Sequence, residues 1–307
     1  MTTLPITEDV LVVLRRRRSA GESVKAMAAE LGVTWQKLDK AIRNGIRRKT
    51  NRKTTPAGGQ AQKATQARLK PAPGAGPLTE RYRPRSLDAL FGQKAAVAFL
   101  KRFAACPYPV AFIFEGETGT GKTSAALALA AELGCNVDAN PPEFGGVHTV
   151  ASGEQNAEAV RELHGRMWRC PFSGSGWKVV IVNEADRMHA AVETIWLDRL
   201  EVLPPRTVIV FTTNFPEKLS QRFRDRCVRF GFESKASKLG MAAYGLLAAI
   251  WRHEAGTDPD MTVIARIVEQ ATEDGQLSFR RAVQLLTPVL AEKGGLPSGA
   301  SAKGGAA

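Results

Sequence analysis

The sequence predicts an α/β fold: a parallel sheet flanked by helices, with a small helical lid after it and a three-helix domain before it. Three observations carry this expectation. From Leu78 to about Phe232 short apolar runs alternate with helical stretches, the pattern of strands joined by crossover helices. One of those runs ends in a glycine-rich loop that opens an alanine-rich helix. From Lys235 to Lys293 apolar residues recur at helical spacing.

The 307 residues, 44% of them apolar, suffice for one sizeable domain or two or three small ones. The longest nearly unbroken apolar run, Met241 to Trp251, is far shorter than the roughly 20 residues of a membrane span. Glu8, Asp9 and Arg15 to Arg18 stand where a signal peptide needs a basic start and then an apolar stretch. The expected location is therefore cytoplasmic, without membrane contact. Cys106, Cys135, Cys170 and Cys227 match no zinc spacing and are expected to be reduced thiols.

Charge is concentrated at one end. Residues 1–70 hold 16 Lys and Arg against 5 Asp and Glu, leaving 27 against 25 of the totals of 43 and 30 for the rest. Clustered cations on a nearly neutral body suit a polyanionic partner, DNA first, because they displace its counterions; the bland alternative is a solubilising tail. Within this segment, residues 1–49 carry three helical stripes: Val10, Leu11 and Leu14; Val24, Met27, Ala28 and Leu31; Trp35, Leu38, Ile42 and Ile46. Ser23 and Thr34 occupy N-cap positions and Gly32 the turn between the second and third helices. Gly21 to Thr34 resembles the helix-turn-helix of many bacterial and phage DNA-binding proteins. The third helix then offers Gln36, Lys37, Lys40, Arg43 and Asn44 to DNA, or else presents a merely solvated basic face. Residues 50–77, rich in Pro, Gly and Ala, read as a basic linker, and residues 294–307 as a flexible tail. Between them lie a core at 78–232 and a lid at 233–293.

Candidate strands in the core are Val110 to Glu115, Val147 to Val150, Lys178 to Val182 and Thr207 to Phe211. The first leads into Gly116-Glu117-Thr118-Gly119-Thr120-Gly121-Lys122-Thr123-Ser124, a phosphate-binding loop in its proper strand-to-helix context. Glycines let backbone N–H groups turn toward phosphates, the helix N-terminus adds its dipole, Lys122 reaches the β- and γ-phosphates, and the Thr123 hydroxyl ligates magnesium. ATP and Mg²⁺ are the expected cofactors. The third strand delivers Asn183 and Glu184 to its C-terminal end, where ligands bind in open sheets. Glu184 would polarise an attacking water. Asn183 stands where an aspartate usually holds magnesium, and a neutral amide stabilises the cation less. Thr212, Thr213 and Asn214 end the fourth strand, and Asn214 would orient the same water from next door. Trp168, Trp196 and Trp251 read as core. The four histidines, His148, His164, His189 and His253, lie in no constellation that suggests a metal or acid–base role.

In this order, phosphate loop, acidic strand and Thr-Thr-Asn strand resemble the ATPase core of the AAA+ superfamily. Within it the chain resembles clamp-loader subunits, namely the small subunits of replication factor C, the phage clamp-loader ATPases and the bacterial γ/τ subunit. Glu80 to Gln93 looks like their adenine-wrapping opening segment, which implies roles for Tyr82, Arg83, Pro84 and Gly92. Leu219 to Cys227 resembles the segment carrying their arginine finger, which maps to Arg226, with Asp225 in place of serine. Phe279 to Ala282 resembles the lid motif whose first arginine, here Arg280, reads the γ-phosphate, although Leu277-Ser278 replaces the customary Gly-Asp. The resemblance spans roughly Leu78 to Leu286, lacks the zinc-binding cysteines of γ/τ and has no collar after Leu286. It implies an ATP-hydrolysing AAA+ protein acting on DNA in replication, assembling with ATP into a homo- or hetero-oligomer and working with a sliding clamp or other replication proteins. An AAA+ ATPase of transposition, recombination or helicase loading, and a nucleotide-binding DNA adaptor with little hydrolysis, are the alternatives.

Overall fold

The computed structural model describes residues 76–292, together with Ser23. The chain partitions into two compact units, Met1–Ala61 and Gln62–Ala307, and the fold below belongs to the second. The proposed DNA contacts Gln36, Lys37, Lys40, Arg43 and Asn44 lie outside the described residues, as do nearly all of the linker and the tail.

In chain order the elements are Leu78–Arg81 (α1), Lys94–Ala105 (α2), Val110–Glu115 (β1), Lys122–Glu132 (α3), Val147–Val150 (β2), Ala157–Met167 (α4), Lys178–Val182 (β3), Ala190–Glu201 (α5), Thr207–Thr213 (β4), Gln221–Asp225 (α6) and Val228–Gly231 (β5). The five strands form one parallel sheet in the order β2-β3-β4-β1-β5. β3 and β4 are buried along their whole length, which is why they read as unbroken runs of Val, Ile and Phe. One face of the sheet packs Phe112, Phe114, Val179, Ile181 and Val210 against Leu100 of α2 and Leu129 of α3. The other packs Ile113, Val180, Ile209 and Phe211 against Val160 and Met167 of α4, Trp196 of α5 and Phe223 of α6.

The first three candidate strands have the bounds expected from their apolar runs. The fourth extends through Thr212 and Thr213, both buried. The fifth strand was not legible: β5 is a short edge strand whose residues are mostly exposed, with Arg229 paired to Glu115 at 2.8 Å, so it has no apolar run to betray it.

The lid holds Ala236–Ala255 (α7), Met261–Gln270 (α8), Thr272–Glu273 (β6), Gln276–Leu277 (β7) and Phe279–Glu292 (α9). The expectation of a segment helical throughout is thus corrected by a hairpin. Its turn is Asp274-Gly275, both at positive φ (49° and 74°), the Asp-Gly pair that closes a two-residue hairpin and interrupts the helical period. Leu239, Leu247, Trp251, Ile264, Leu286 and Leu290 form the lid core, and Leu78 and Tyr82 of the opening segment join it. Asp260 caps α8 by accepting from the backbone N–H groups of Thr262 and Val263.

Trp196 and Trp251 are buried as expected, but Trp168 is 53% exposed. It sits at the C-cap of α4, one position past Met167, where the chain turns off the core, and meets only His164 edge-on among aromatic rings of the described residues. All four cysteines are free thiols, and among the described residues no helix is long and apolar enough to cross a membrane.

Candidate nucleotide-binding site

At the C-terminal end of β1 the chain enters the loop Gly116–Thr123. Gly116, Gly119 and Gly121 take φ of 141°, 79° and 100°, conformations that side chains bearing a Cβ rarely adopt. Lys122, only 8% exposed, folds back over the loop: its Nζ donates to the carbonyls of Gly116 (2.6 Å) and Glu117 (2.9 Å) and to Oδ1 of Asn214 (2.8 Å). Burial pushes its ammonium down to about 8, with Glu117 opposing and Arg280 adding to the depression. The neighbouring Asn214 Nδ2 donates to the hydroxyl of Thr118 at 3.1 Å. The loop lysine and the polar end of β4 therefore meet, as the residue types imply.

β3 brings the next pair. The hydroxyl of Thr123 donates to Oδ1 of Asn183 at 2.9 Å, and Thr212 does so at 3.4 Å. Asn183 thus meets Thr123 with a neutral oxygen where a carboxylate was expected to stand. Glu184 follows at φ 52°, a strained left-handed conformation for a residue with a Cβ, and its carboxylate pairs with Arg187 at 3.0 Å. Two residues that sequence reasoning missed stabilise this corner. Gln155 Nε2 donates to the Asn183 carbonyl, and Asp186 Oδ1 accepts from the Thr213 hydroxyl (2.7 Å) and the Asn214 backbone N–H (3.3 Å). Asp186 lay inside the acidic segment, but nothing in its spacing marked it as the group that fixes Asn214.

These side chains line a polar hollow of about 260 Å³ that includes Lys122, Thr123, Asn183, Glu184, Asn214 and Arg280. A second, more apolar hollow of about 280 Å³ adjoins it, and Arg83, Gly119, Gly121, Ser124 and Arg280 line both. Tyr82, Pro84 and Thr120 line the apolar side, with Leu90, Phe91, Leu246, Phe279 and Val283, none of which the motifs singled out for binding. Their signal was ordinary apolar character, Leu90 and Phe91 in the opening segment and the other three in the lid, which does not separate a cleft wall from a core. The paired volumes fit a nucleotide with its base between opening segment and lid and its phosphates at the loop, and the donor set there suits a magnesium ion held chiefly by phosphate oxygens.

Four expected site residues line neither hollow. Gly116 and Glu117 line neither hollow and act through their carbonyls on Lys122. Gly92 lines neither one; its φ of 75° brings it against the lid, where a Cβ would lie 2.5 Å from Leu239 Cδ2. Arg226 stands apart at the end of α6, paired with Glu201 at 2.7 Å. Tyr82 does line the cleft, but its hydroxyl is spent on the lid, bonded to His253 Nδ1 at 2.6 Å and to the Glu254 carboxylate.

The lid also touches the loop. The Phe279 backbone N–H donates to the Gly119 carbonyl at 3.1 Å, and a Cβ on Gly119 would fall 2.0 Å from Ser278 Oγ. This close approach places Arg280 over the phosphate hollow.

Residues 92–236 match the family model described as DNA polymerase III, delta subunit. The chain is 30% identical to the replication factor C small subunit of Thermofilum pendens over 209 residues, covering 67% of this chain and 60% of that protein. It is 31% identical to the Thermoplasma acidophilum small subunit over 156 residues, covering 50% and 48%. Over this core the chain is thus similar to clamp-loader subunits. The chain spans about half of the Thermoplasma relative's length and 60% of the Thermofilum one's. A Thermotoga maritima protein related to the polymerase III gamma subunit superposes on this chain with a TM-score of 0.42 and 16% identity, covering 64% of this chain and 72% of that one.

Proposed function

We propose that the chain binds ATP with Mg²⁺ and hydrolyses it as a clamp-loader-like AAA+ switch acting on DNA in replication, in the cytoplasm. The observation that carries this reading is the single polar hollow where Lys122, Thr123, Asn183, Glu184, Asn214 and Arg280 converge beside an apolar cleft sized for a base. Lys122 exchanges the loop carbonyls for phosphate oxygens. Thr123 and Asn183 hold the cation, which supplies charge neutralisation at the phosphates. Glu184, released from Arg187, polarises water, and Asn214 orients it. Arg280 senses the γ-phosphate from the lid. Arg226 leaves Glu201 to complete a neighbouring subunit's site in an ATP-dependent oligomer. The helix-turn-helix residues Gln36, Lys37, Lys40, Arg43 and Asn44 contact DNA, and a sliding clamp is the expected protein partner.

Steady-state ATPase measured with and without primed DNA tests the reading, together with the mass of the particle formed with a slowly hydrolysed analogue and pull-down of a sliding clamp. Turnover stimulated by primed DNA is the expected result; no nucleotide uptake by calorimetry would overturn it. One observation favours a second reading, a nucleotide-holding adaptor of low turnover. Asn183 presents a neutral oxygen to Thr123, and tight ATP binding without DNA-stimulated release of phosphate is its signature.

A further inference from the structure

At the opposite ends of the strands from the nucleotide cleft, a hollow of about 400 Å³ lies among the turn Pro142–Gly145, the starts of β2 and β3, and the segment leaving α4. His148 and Lys178 line it and are almost wholly buried, 7% and 4% exposed. Register pairs His148 with Val180, so His148 and Lys178, two residues before Val180, lie on the same face of the sheet. Nδ1 of His148 is buried without any hydrogen-bond partner. Burial pushes both groups below their ordinary values; Arg166 and Lys178 press His148 further down against the pull of Glu143, and Arg206 adds to the depression at Lys178.

A buried ring nitrogen with no partner, like Nδ1 of His148, carries a desolvation cost that a bound anion would offset when that nitrogen is protonated. Arg166 and Arg169 bring two guanidinium groups to the same hollow, against the single carboxylate of Glu143. Beside them stands an aromatic surface. Phe172 is 86% exposed, steadied by an edge-to-face contact with Phe144 at 4.9 Å, and both rings line the hollow.

We propose that this hollow binds a nucleotide unit, its phosphate held by His148, Lys178, Arg166 and Arg169 and its base stacked on Phe172. Cations beside a solvent-facing ring are the pairing that single-stranded nucleic acid exploits, the charges tracking phosphate and the ring accepting any base. An acidic peptide would use the cations but has no requirement for the flat face of Phe172. The volume falls within the range of small-ligand pockets and suits one nucleotide. The unit comes either from a free mononucleotide or from a single strand. The hollow stands apart from the ATP cleft and does not depend on the reading of that cleft.

Photocrosslinking of the full chain, with the ATP cleft saturated by a slowly hydrolysed analogue, tests the proposal. The probes are free 5-iodo-dUMP and a short oligothymidylate carrying one 5-iodouracil, with adducts mapped by peptide mass spectrometry. An adduct at Phe144 or Phe172 is expected, suppressed by excess inorganic phosphate and weakened about fivefold or more in Arg169→Ala and Phe172→Ala, both at exposed positions. Labelling by the mononucleotide identifies a free nucleotide as the ligand, and labelling by the oligomer alone identifies a strand. Adducts confined to other parts of the chain would overturn the proposal. So would a fluorescent oligoglutamate peptide whose binding falls in Arg169→Ala while neither iodinated probe labels residues 141–178.

Discussion

Lys122 sits at the centre of the site in two capacities. It closes the loop on itself through Gly116, Glu117 and Asn214, and its burial leaves it with a proton affinity near neutrality, at about 8. A triphosphate favours the charged form, so the lysine's value in the complex lies above that in the free protein. Nucleotide affinity is then full below about pH 8 and declines as pH rises through it, by at most tenfold per pH unit. Calorimetric titration with ATP at pH 7, 8 and 9 reads this directly; an affinity flat over that range removes Lys122 from the phosphate contact. For the free protein the sign is opposite, because the unfolded chain holds this proton more tightly, and this residue's contribution to stability grows as pH rises from about 8 toward the ordinary lysine value. The adjoining substitution at Asn183 makes a second prediction. Asn183→Asp places a carboxylate against Thr123, and the Mg²⁺ needed for half-maximal turnover should fall about tenfold. Identical magnesium dependence in both proteins would show that position 183 does not hold the cation. That Lys122, Thr123, Asn183, Glu184 and Asn214 share one hollow was legible from motif order, because the first two open the helix after β1 and the others follow β3 and β4. Gln155 and Asp186 were not, since their role is to hold those residues and no spacing encodes it.

Among the elements, the short opening helix α1 is one whose place the sequence does not give away. Its motif suggests an adenine-binding strap, yet its side chains are engaged with the lid. Arg81 forms two hydrogen bonds with Glu254 of α7, at 2.9 and 2.8 Å, while Tyr82 donates to the same carboxylate. Burial alone would raise the Glu254 carboxyl, but the bonds from Tyr82 and Arg81 together hold it below its ordinary value; burial in turn raises the Tyr82 phenol, with Glu254 reinforcing the shift. The Glu254 side chain is 3% exposed, so Glu254→Gln leaves the Arg81 charge without its partner inside the junction, a loss of about 3 kcal/mol. Urea unfolding monitored by Trp251 fluorescence is the measurement, and an unchanged midpoint would mean that the strap is held by the packing of Leu78 and Tyr82 and not by the ion pair. The depressed carboxyl contributes stability above the ordinary glutamate range and loses it as pH falls through the lower folded value. β5 and the lid hairpin escaped the sequence for related reasons: an exposed edge strand has no apolar alternation, and two-residue strands are shorter than any period.

For the whole molecule, the described core and lid bring together the groups of the proposed nucleotide site except one. Arg226 points its guanidinium to Glu201 on its own surface, away from both hollows. If it serves a neighbour, Arg226→Ala should leave ATP affinity intact and cut turnover by about 10³-fold; a variant that runs at full speed would make it an ordinary surface ion pair. The basic head makes a separable contribution. Deleting residues 1–50 should flatten the dependence of DNA affinity on salt, since each phosphate contact removed takes about one unit from the slope, while leaving ATP uptake unchanged. An equal slope in both chains would locate the DNA contact elsewhere. At this scale the parallel sheet with its crossover helices was legible from alternating apolar runs, whereas the strand order and the pairing of opening segment with lid depend on contacts far apart in the chain, the latter over 170 residues apart. The bond between the Phe279 amide and the Gly119 carbonyl couples these parts. The first turn of α9 is thereby fastened to the loop backbone, so any swing of the lid that carries Phe279 away from Gly119 must first give up this bond, worth about 1 kcal/mol.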